Sequence, residues 1–325
     1  MRAVLCKAYG PPESLVLEDV DSPALLPGTV RVDVHAAGVN FPDVLMIKGE
    51  YQFKPPFPFS PGAEVAGVVS ELGPDVSGVN VGDRVIVMCG AGGFAEEVVV
   101  GAAALIPLPD EMDFVTGSGL TLVYGTSAYA LMQRGQLQAG ETLLVHGAAG
   151  GVGLSAVEIG RAMGAVVIGT GGDDEKLKVV LDHGADHVIN YRTAQFKDEV
   201  KTLTGGKGAD VIYDAVGGDV FDQSLRCIAW DGRLLVIGFA SGRIPAPPAN
   251  LILLKSCSVV GVFFGAWSMR DPAPNRANLE QVFDWWRQGL VRPNVSHTFP
   301  LDKASDALYA VINRQVVGKA VITVR

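Results

Sequence analysis

The sequence predicts an α/β protein of two domains, with a strand-rich first third and a doubly wound parallel sheet in the middle. The 325 residues suffice for two hydrophobic cores. Short β-branched runs fill the first third, whereas strands and helices alternate from about residue 142. Such alternation is typical of a parallel sheet that carries helices on both faces.

Six short strands are predicted in the first third, where turns such as Pro27-Gly28, Gly73-Pro74 and Gly82-Asp83 separate them. Because no long helix intervenes, these strands favour a barrel or a curled antiparallel sheet. The predicted strands are residues 3–6, 15–20, 30–37, 64–72, 84–88 and 95–100.

The middle of the chain predicts a six-stranded parallel sheet with four intervening helices. Two further helices and a last strand follow residue 265. Since that tail is too short to fold alone, we expect it to complete the first domain, so that the domains are 1–123 with 266–325, and 124–265. The strands are 142–146, 166–170, 187–190, 211–214, 233–237 and 258–262, and the helices are 152–163, 173–183, 194–203, 220–228, 278–288 and 302–313, with a strand at 319–324.

A glycine-rich turn follows the first strand of this sheet, in the sequence HGAAGGVG of residues 146–153. Glycine permits positive φ in such a turn and lets a pyrophosphate approach the backbone without meeting a Cβ. The spacing differs from G-x-G-x-x-G and is weak alone in a chain with 40 glycines. Its place between a strand and a helix, with a second strand about 20 residues on, predicts dinucleotide binding.

Composition and charge argue against several classes of partner. The net charge of −9 disfavours nucleic acid, since binding would require a basic face that neutralises phosphates. No apolar run approaches the roughly 20 residues of a membrane span. The first residues show no signal peptide. The four cysteines lie far apart, which favours reduced thiols in a cytoplasmic protein.

Motifs along nearly the whole chain resemble the medium-chain dehydrogenases/reductases, and among them the zinc-independent quinone oxidoreductases (the zeta-crystallin-like branch). The resemblance implies a GroES-like β-barrel catalytic domain, a Rossmann cofactor domain inserted into it, and a cleft between the two. The motifs are Asn40-Phe41-Pro42-Asp43, Gly49-Glu50-Tyr51, residues 61–67 (PGAEVAG), Gly82-Asp83-Arg84-Val85, residues 146–153 and Gly318-Lys319.

The chain lacks the metal ligands of the zinc-dependent members of this superfamily. Those members carry a cysteine near Asn40 and a Gly-His-Glu at residues 62–64, where this chain has Gly-Ala-Glu. One carboxylate, Glu64, cannot hold Zn²⁺ without a thiolate or an imidazole. His35 and His146 lie in apolar strands, as core histidines do. We therefore predict no metal, which disfavours alcohol oxidation because no Lewis acid polarises the alcohol oxygen.

The end of the second sheet strand favours NADPH over NADH. NAD-specific sheets usually carry an acid there, which binds the ribose hydroxyls and repels a 2′-phosphate. Here the strand ends in Thr170 and Gly171, and the resemblance implies that Lys176 and Tyr191 grip the 2′-phosphate. The two aspartates at 173–174 depart from this pattern, and we attribute them to the N-terminus of the following helix.

The resemblance also implies which residues contact the cofactor, with Asn40 and Thr126 near its nicotinamide end. The full set is Asn40, Thr126, Gly150, Gly151, Val152, Thr170, Gly171, Lys176, Tyr191, Gly217, Phe239, Ser241, Phe263, Phe264 and Lys319.

The implied reaction is hydride transfer from the nicotinamide to a quinone or a similar conjugated carbonyl. Tyr51 and Asn40 are the candidate catalytic residues. The Tyr51 phenol could donate a hydrogen bond to the acceptor oxygen or act as an acid toward carbon, although it could equally be an aromatic residue of a packed loop. Asp43 could orient a neighbouring residue or cap a helix that starts at Val44, and we expect the cap.

Two other functions stay open at this stage. An enoyl or 2-haloacrylate-type alkene could be the acceptor, which would require a proton delivered to carbon, and the aromatic, proline-rich stretch 51–59 does not separate the two substrates. The third hypothesis is a protein that binds NADPH without catalysing a reaction.

A homodimer is the expected assembly. The strand 258–262 would be the exposed edge of the six-stranded sheet, with apolar residues around it, and such an edge invites pairing with a second chain. The resemblance implies the same edge. Whether a dimer associates further is not predicted.

Overall fold

The computed structural model describes all of residues 1–325, which form two compact units. One unit consists of Met1–Leu122 and Pro293–Arg325, and the other of Val123–Arg292. The predicted domains were 1–123 with 266–325, and 124–265, so the second boundary of the two units lies elsewhere than we expected. Residues 266–292, which we assigned to the outer domain, belong to the inserted unit.

Fifteen strands and eleven α-helices form these units. The strands are β1 Arg2–Leu5, β2 Val16–Asp19, β3 Thr29–Val39, β4 Glu64–Leu72, β5 Arg84–Met88, β6 Glu97–Gly101, β7 Leu105–Pro107, β8 Thr142–His146, β9 Val166–Gly171, β10 His187–Asn190, β11 Ala209–Asp214, β12 Ile228–Val236, β13 Ser258–Gly261, β14 Val295–Pro300 and β15 Lys319–Thr323. The helices are α1 Phe41–Ile47, α2 Phe114–Ser118, α3 Thr121–Ala128, α4 Gly151–Ala162, α5 Asp174–Asp182, α6 Phe196–Leu203, α7 Gly218–Cys227, α8 Ala249–Lys255, α9 Phe264–Arg270, α10 Pro272–Arg287 and α11 Ala304–Ile312.

The outer unit is built on a seven-stranded sheet in the order β14-β15-β3-β4-β5-β7, with β6 paired to β3. Its pairs are antiparallel except for β14 and β15, which run parallel. Strand β3 alternates half-buried and buried residues, so that Val30, Val32 and Val34 point into one apolar core. The sequence predicted this curled sheet but missed β7 and β14.

The inserted unit contains the predicted six-stranded parallel sheet, in the order β10-β9-β8-β11-β12-β13. Every pair is parallel. The strand order reverses between β8 and β11, and ligands of doubly wound sheets bind at the carboxyl ends of the strands at such a point. The glycine turn follows β8 and therefore lies at this point, as predicted.

Helix α10 shows why residues 266–292 belong to the inserted unit. Leu279, Val282 and Phe283 are buried on its inner face. The side-chain amides of Asn278 and Gln133 exchange two hydrogen bonds, of 2.8 and 3.0 Å, which fix α10 to a segment of the same unit.

No helix of the structure is long and apolar enough to cross a membrane.

Candidate active site

Asn40 caps α1 and is held from three sides. Its backbone N–H donates to Oδ2 of Asp43 at 2.7 Å, and its Nδ2 donates to Oε1 of Glu64 at 2.9 Å. Its Oδ1 accepts from the Lys319 ammonium at 2.6 Å. Helix α1 begins at Phe41, so our expectation of a helix that starts at Val44 with Asp43 as its cap was wrong. Because both ends of the Asn40 amide are engaged, its orientation is fixed.

Glu64 and Lys319 form the buried ion pair at the centre of this cluster. The Lys319 Nζ lies 2.9 Å from Oε1 of Glu64 and also donates to the carbonyl oxygen of Val39 at 3.0 Å. The second carboxylate oxygen of Glu64 accepts from the Thr121 hydroxyl and from the Leu122 backbone N–H, both at 2.8 Å. The carboxylate is therefore satisfied by charge and by hydrogen bonds, as a fully buried charge requires.

Asp43 is a fully buried titratable group of the outer unit. Burial raises the pKa of its carboxyl to about 7, against the lowering effects of the Asn40 backbone N–H and the Lys319 charge. Its Oδ1 has no hydrogen-bond partner. A buried carboxyl that titrates near neutrality is typical of functional sites.

Tyr51 lies in the loop after α1 and packs, half-buried, against the apolar core of the outer unit. Burial raises the pKa of its phenol, and the nearby Asp43 carboxyl raises it further. The phenol therefore keeps its proton at neutral pH and is available as a donor.

The glycine turn leaves the start of α4 open to an anion. Gly147 has a φ of +65°, and a Cβ on Gly153 would lie 2.2 Å from the Gly147 carbonyl oxygen, so neither position accepts a side chain. Gly150 is the N-cap of α4 and supplies no capping side chain. The backbone N–H groups of Gly151 and Val152, in the first turn of this helix, thus lack intrahelical acceptors and can bind phosphate.

Thr170 faces the interior rather than the ligand edge. Its side chain is buried and its Oγ1 lies 2.9 Å from Nδ1 of His146 on the neighbouring strand. The other ring nitrogen of His146 lies 2.8 Å from the Ser224 hydroxyl, which itself donates to the Val220 carbonyl. Ser224 must therefore accept from His146, so that His146 accepts from Thr170.

His146 is thus a satisfied core histidine, as the sequence indicated. Burial lowers the pKa of its imidazole to about 3, so the ring is neutral. The Thr170 carbonyl also accepts from the Ala148 backbone N–H at 3.0 Å. The Thr170 side chain is therefore not available to a ligand, and its backbone carbonyl fixes the glycine turn.

The end of β9 and the start of α5 lie beside Tyr191. The ring of Tyr191 lies over Gly172, where a Cβ would come within 2.9 Å of it. Asp173 is the N-cap of α5 and accepts from the Lys176 backbone N–H at 3.1 Å, as we expected for this aspartate. The structure brings Gly171 and Tyr191 together through a 3.0 Å backbone hydrogen bond, and half-buried Lys176 lies one helical turn away.

Gly217, Phe239 and Ser241 also come together, at the end of β11. Oδ1 of Asp214 accepts from the Gly217 N–H at 2.9 Å and fixes the turn. A Cβ on Gly217 would lie 3.0 Å from the Phe239 ring, and one on Gly218 would lie 2.7 Å from the Ser241 hydroxyl. The three predicted residues therefore form one loop pair at the ligand edge of the sheet.

Phe264 packs against Gly125, the residue before Thr126, within the inserted unit. Thr126 is nearly buried on α3, and the Phe264 ring packs so closely on Gly125 that a Cβ there would lie 2.5 Å from it. Phe263, the residue before α9, is 59% exposed and thus free to contact a ligand.

Comparison with known proteins places this geometry in a family. The model of the alcohol dehydrogenase GroES-like domain matches residues 26–110, and that of the zinc-binding dehydrogenase matches residues 151–283. The quinone oxidoreductase-like protein 2 homolog of Nematostella vectensis is 44% identical over 329 residues, which cover 100% of this chain and 89% of the relative. The chain belongs to the quinone oxidoreductase family of the medium-chain dehydrogenases/reductases.

Solved structures agree with this assignment. Escherichia coli quinone oxidoreductase, complexed with NADPH, is similar with a TM-score of 0.93 at 28% identity, over 100% of both chains. The enoyl reductase CurK is similar with a TM-score of 0.88 at 26% identity, over 99% of this chain and 98% of that one. The outer unit is thus GroES-like and the inserted unit Rossmann-like, as the sequence predicted.

No three or more histidine, cysteine, aspartate or glutamate residues of the structure are grouped so that they could hold a metal ion. The zinc-binding dehydrogenase model does not extend to Asn40 or Glu64, since its match begins at residue 151.

The sequence did not predict the buried hydroxyl groups that contact the start of α4, next to the glycine turn. The Ser127 hydroxyl lies 3.0 Å from the Val152 carbonyl oxygen, 2.8 Å from the Ser155 hydroxyl and 2.9 Å from the Tyr213 hydroxyl. Hydroxyl residues within otherwise apolar helices and strands could have indicated these contacts, because a buried hydroxyl requires a hydrogen-bond partner.

Proposed function

We propose that this chain is an NADPH-dependent reductase that transfers hydride to a quinone or a similar conjugated carbonyl, without zinc. The Lys319–Glu64 ion pair is the observation that carries the proposal. It commits the carboxylate at the Gly-His-Glu position of zinc-dependent relatives to an ammonium group. The related E. coli enzyme, which is a quinone oxidoreductase bound to NADPH, supports the same activity.

The cofactor assignment rests on the fit of the inserted unit to a dinucleotide. The uncapped start of α4 suits a pyrophosphate, and the neutral end of β9 with Tyr191 and Lys176 suits a 2′-phosphate. A carboxylate that would repel this phosphate is missing at Thr170 and Gly171. When bound, NADPH supplies the hydride.

The groups at the site support the proposed zinc independence. Asn40 offers an amide whose oxygen already accepts from Lys319, and Glu64 has both oxygens engaged. Displacing Lys319 to admit a cation would break three hydrogen bonds of a buried ammonium. Quinone reduction does not require a Lewis acid, because the hydroquinone oxygens take protons from water.

Tyr51 and Asn40 receive different roles in this proposal. Tyr51 keeps its phenol protonated and donates a hydrogen bond to the acceptor oxygen as negative charge develops there. Asn40 acts as a positioning residue, since its side chain is committed to Glu64 and Lys319 and its backbone N–H to Asp43.

Reduction of an activated alkene is the second candidate. Two observations favour it: the similarity to an enoyl reductase, and a protonated phenol at Tyr51 that could deliver a proton to carbon. The two candidates differ in whether the phenol must transfer its proton or only share it.

Assembly is proposed to be a homodimer joined through β13. This strand is the edge of the parallel sheet, and Leu253, Leu254 and Phe263 around it are largely exposed. Light scattering at micromolar concentration should give the mass of two chains, and the mass of one chain would refute this assembly.

The activity is tested by NADPH oxidation with four reactions: a quinone, an acyclic enone, an acrylate and no acceptor. We expect the quinone to give the highest kcat/KM, and NADH to be a poorer donor. Turnover with the acrylate alone would favour the alkene reductase. Tight NADPH binding without turnover of any acceptor would indicate a protein that only binds the cofactor.

A further inference from the structure

Helix α3 changes to a π-helical turn at Tyr129–Arg134, three residues beyond Thr126. Such turns are rare and frequently lie at functional sites. This one is anchored from two directions. Arg134 Nε donates to the Gly261 carbonyl oxygen at 3.0 Å, and Gln133 exchanges amide hydrogen bonds with Asn278. The π turn is therefore a fixed feature that sets where the Tyr129 side chain points.

Tyr129 stacks on Trp267 of α9, with ring centroids 4.1 Å apart and planes inclined by 12°. Phe264 supports this pair, because its ring centroid lies 6.3 Å from that of Trp267 while its ring is buried against Gly125. Both members of the pair remain half-buried, so part of their surface is open to solvent. The pair therefore presents partly accessible aromatic rings that are held in a fixed arrangement.

The pair lies on the ligand side of the inserted unit. Helix α9 follows the carboxyl end of β13, which belongs to the edge of the sheet where doubly wound folds bind ligands. Tyr129 follows Thr126 by one turn on the same helical segment, and Phe264 touches the residue next to Thr126. The pair is thus connected by direct contacts to the residue that we expect at the nicotinamide.

We infer that Tyr129 and Trp267 form a platform for the flat ring of the acceptor, and that this platform makes the enzyme select fused-ring quinones over short acyclic enones. The inference rests on the proposed function and names its substrate class. A fused-ring quinone offers a π face that stacks in an offset manner on an aromatic surface, whereas a short enone offers little area to cover.

The test compares Trp267→Leu and Tyr129→Leu with the wild type, using a naphthoquinone and an acyclic enone. Each variant should lower kcat/KM for the naphthoquinone about tenfold through KM, with the enone value unchanged. Trp267→Phe should recover most of the loss. Trp230→Leu is the matched control, since Trp230 is 68% exposed on β12 and should not affect either acceptor.

A binding measurement separates failure of this inference from failure of the proposed function. Titration calorimetry of a water-soluble naphthoquinone into NADP⁺-loaded protein should give a Kd about tenfold weaker for Trp267→Leu, whether or not the protein turns over. An unchanged Kd, or an equal loss of kcat/KM with both acceptors, would overturn the platform. Absence of turnover by the wild type, with binding affected as expected, would refute only the proposed reaction.

Discussion

Lys319 and Glu64 form a buried ion pair with a distance of 2.9 Å, although 255 residues separate them in the sequence. The pair joins β15, the last strand, to β4 in the middle of the same sheet. Asn40 bridges the two charges, because it accepts from Lys319 and donates to Glu64. The cluster thereby fixes the start of α1.

We expect Lys319→Met to lower the free energy of unfolding by about 3–5 kcal/mol, because it leaves the Glu64 carboxylate buried without a counter-charge. Urea denaturation measures this change. Lys303→Met is the control, since Lys303 lies 3.9 Å from Asp306 in an exposed pair and should change stability by less than about 1 kcal/mol.

The double variant Lys319→Met with Glu64→Gln sharpens this test. Removing both charges should recover a large part of the lost stability, because no uncompensated charge then stays buried. If the loss of unfolding free energy in the double variant equals the sum of the losses in Lys319→Met and Glu64→Gln, the two residues do not act as a pair.

Local features of the fold were predictable from sequence, whereas long-range contacts were not. The parallel sheet and the glycine turn follow from patterns within a few residues, and both were predicted. The ion pair of Lys319 with Glu64 requires β15 to lie in the same sheet as β4, which no local pattern shows. The resemblance implied a cofactor contact for Lys319, and the structure adds that its ammonium is buried with three acceptors.

The error in the domain boundary has a similar cause. We assigned residues 266–292 to the outer unit because the tail seemed too short to fold alone. An amphipathic helix such as α10 can cover any apolar surface, and only the contacts of Asn278 and Leu279 show which one it covers. The direction of the Thr170 side chain likewise depends on the register of this residue with His146, which the sequence does not show.

Cofactor preference is expected to depend on Lys176, Gly172 and Tyr191. Lys176→Glu should reverse much of a preference for NADPH that we expect to be at least about tenfold, or about 1.4 kcal/mol. Gly172→Ala should weaken NADPH but not NADH, because its Cβ would displace the Tyr191 ring. Titration calorimetry with both cofactors measures these effects.

Gly101→Ala serves as the control for the second variant, since a Cβ there meets no atom within 4 Å. Equal dissociation constants of the wild type for NADPH and NADH would refute the assignment of Lys176 and Tyr191 to the 2′-phosphate.

Stability should depend on pH through His146. Burial lowers the pKa of this imidazole to about 3, below the value of about 6.5 expected in the unfolded chain. The unfolded state therefore binds the proton first as pH falls, so the contribution of His146 to stability is complete above about pH 6.5 and is lost toward pH 3. The loss amounts to about 1.4 kcal/mol per pH unit, and to about 5 kcal/mol in total.

Denaturation of the wild type and of His146→Gln at several pH values isolates this contribution. The difference between their unfolding free energies should shrink as the pH is lowered from 6.5. The same substitution at exposed His187 should leave the pH dependence as it is. A pH-independent difference for His146→Gln would show that the ring is not neutral and buried.

Tyr51→Phe should distinguish the two candidate acceptors. With a quinone, we expect KM to rise more than kcat falls, because the phenol only shares its proton with an oxygen that water can protonate. With an activated alkene, loss of a required acid should lower kcat by roughly 10²–10⁴-fold. Steady-state kinetics with both acceptors measures the changes in KM and kcat. If neither changes with either acceptor, Tyr51 is not an active-site residue.

The most direct test of the account is the rate of NADPH oxidation by a naphthoquinone after the enzyme has been dialysed against a chelator. Since Lys319 occupies the acceptors around Asn40 and Glu64, we expect elemental analysis to find no stoichiometric zinc and the quinone-dependent rate to stay unchanged. Loss of that rate on dialysis, with recovery on addition of Zn²⁺, would contradict the account.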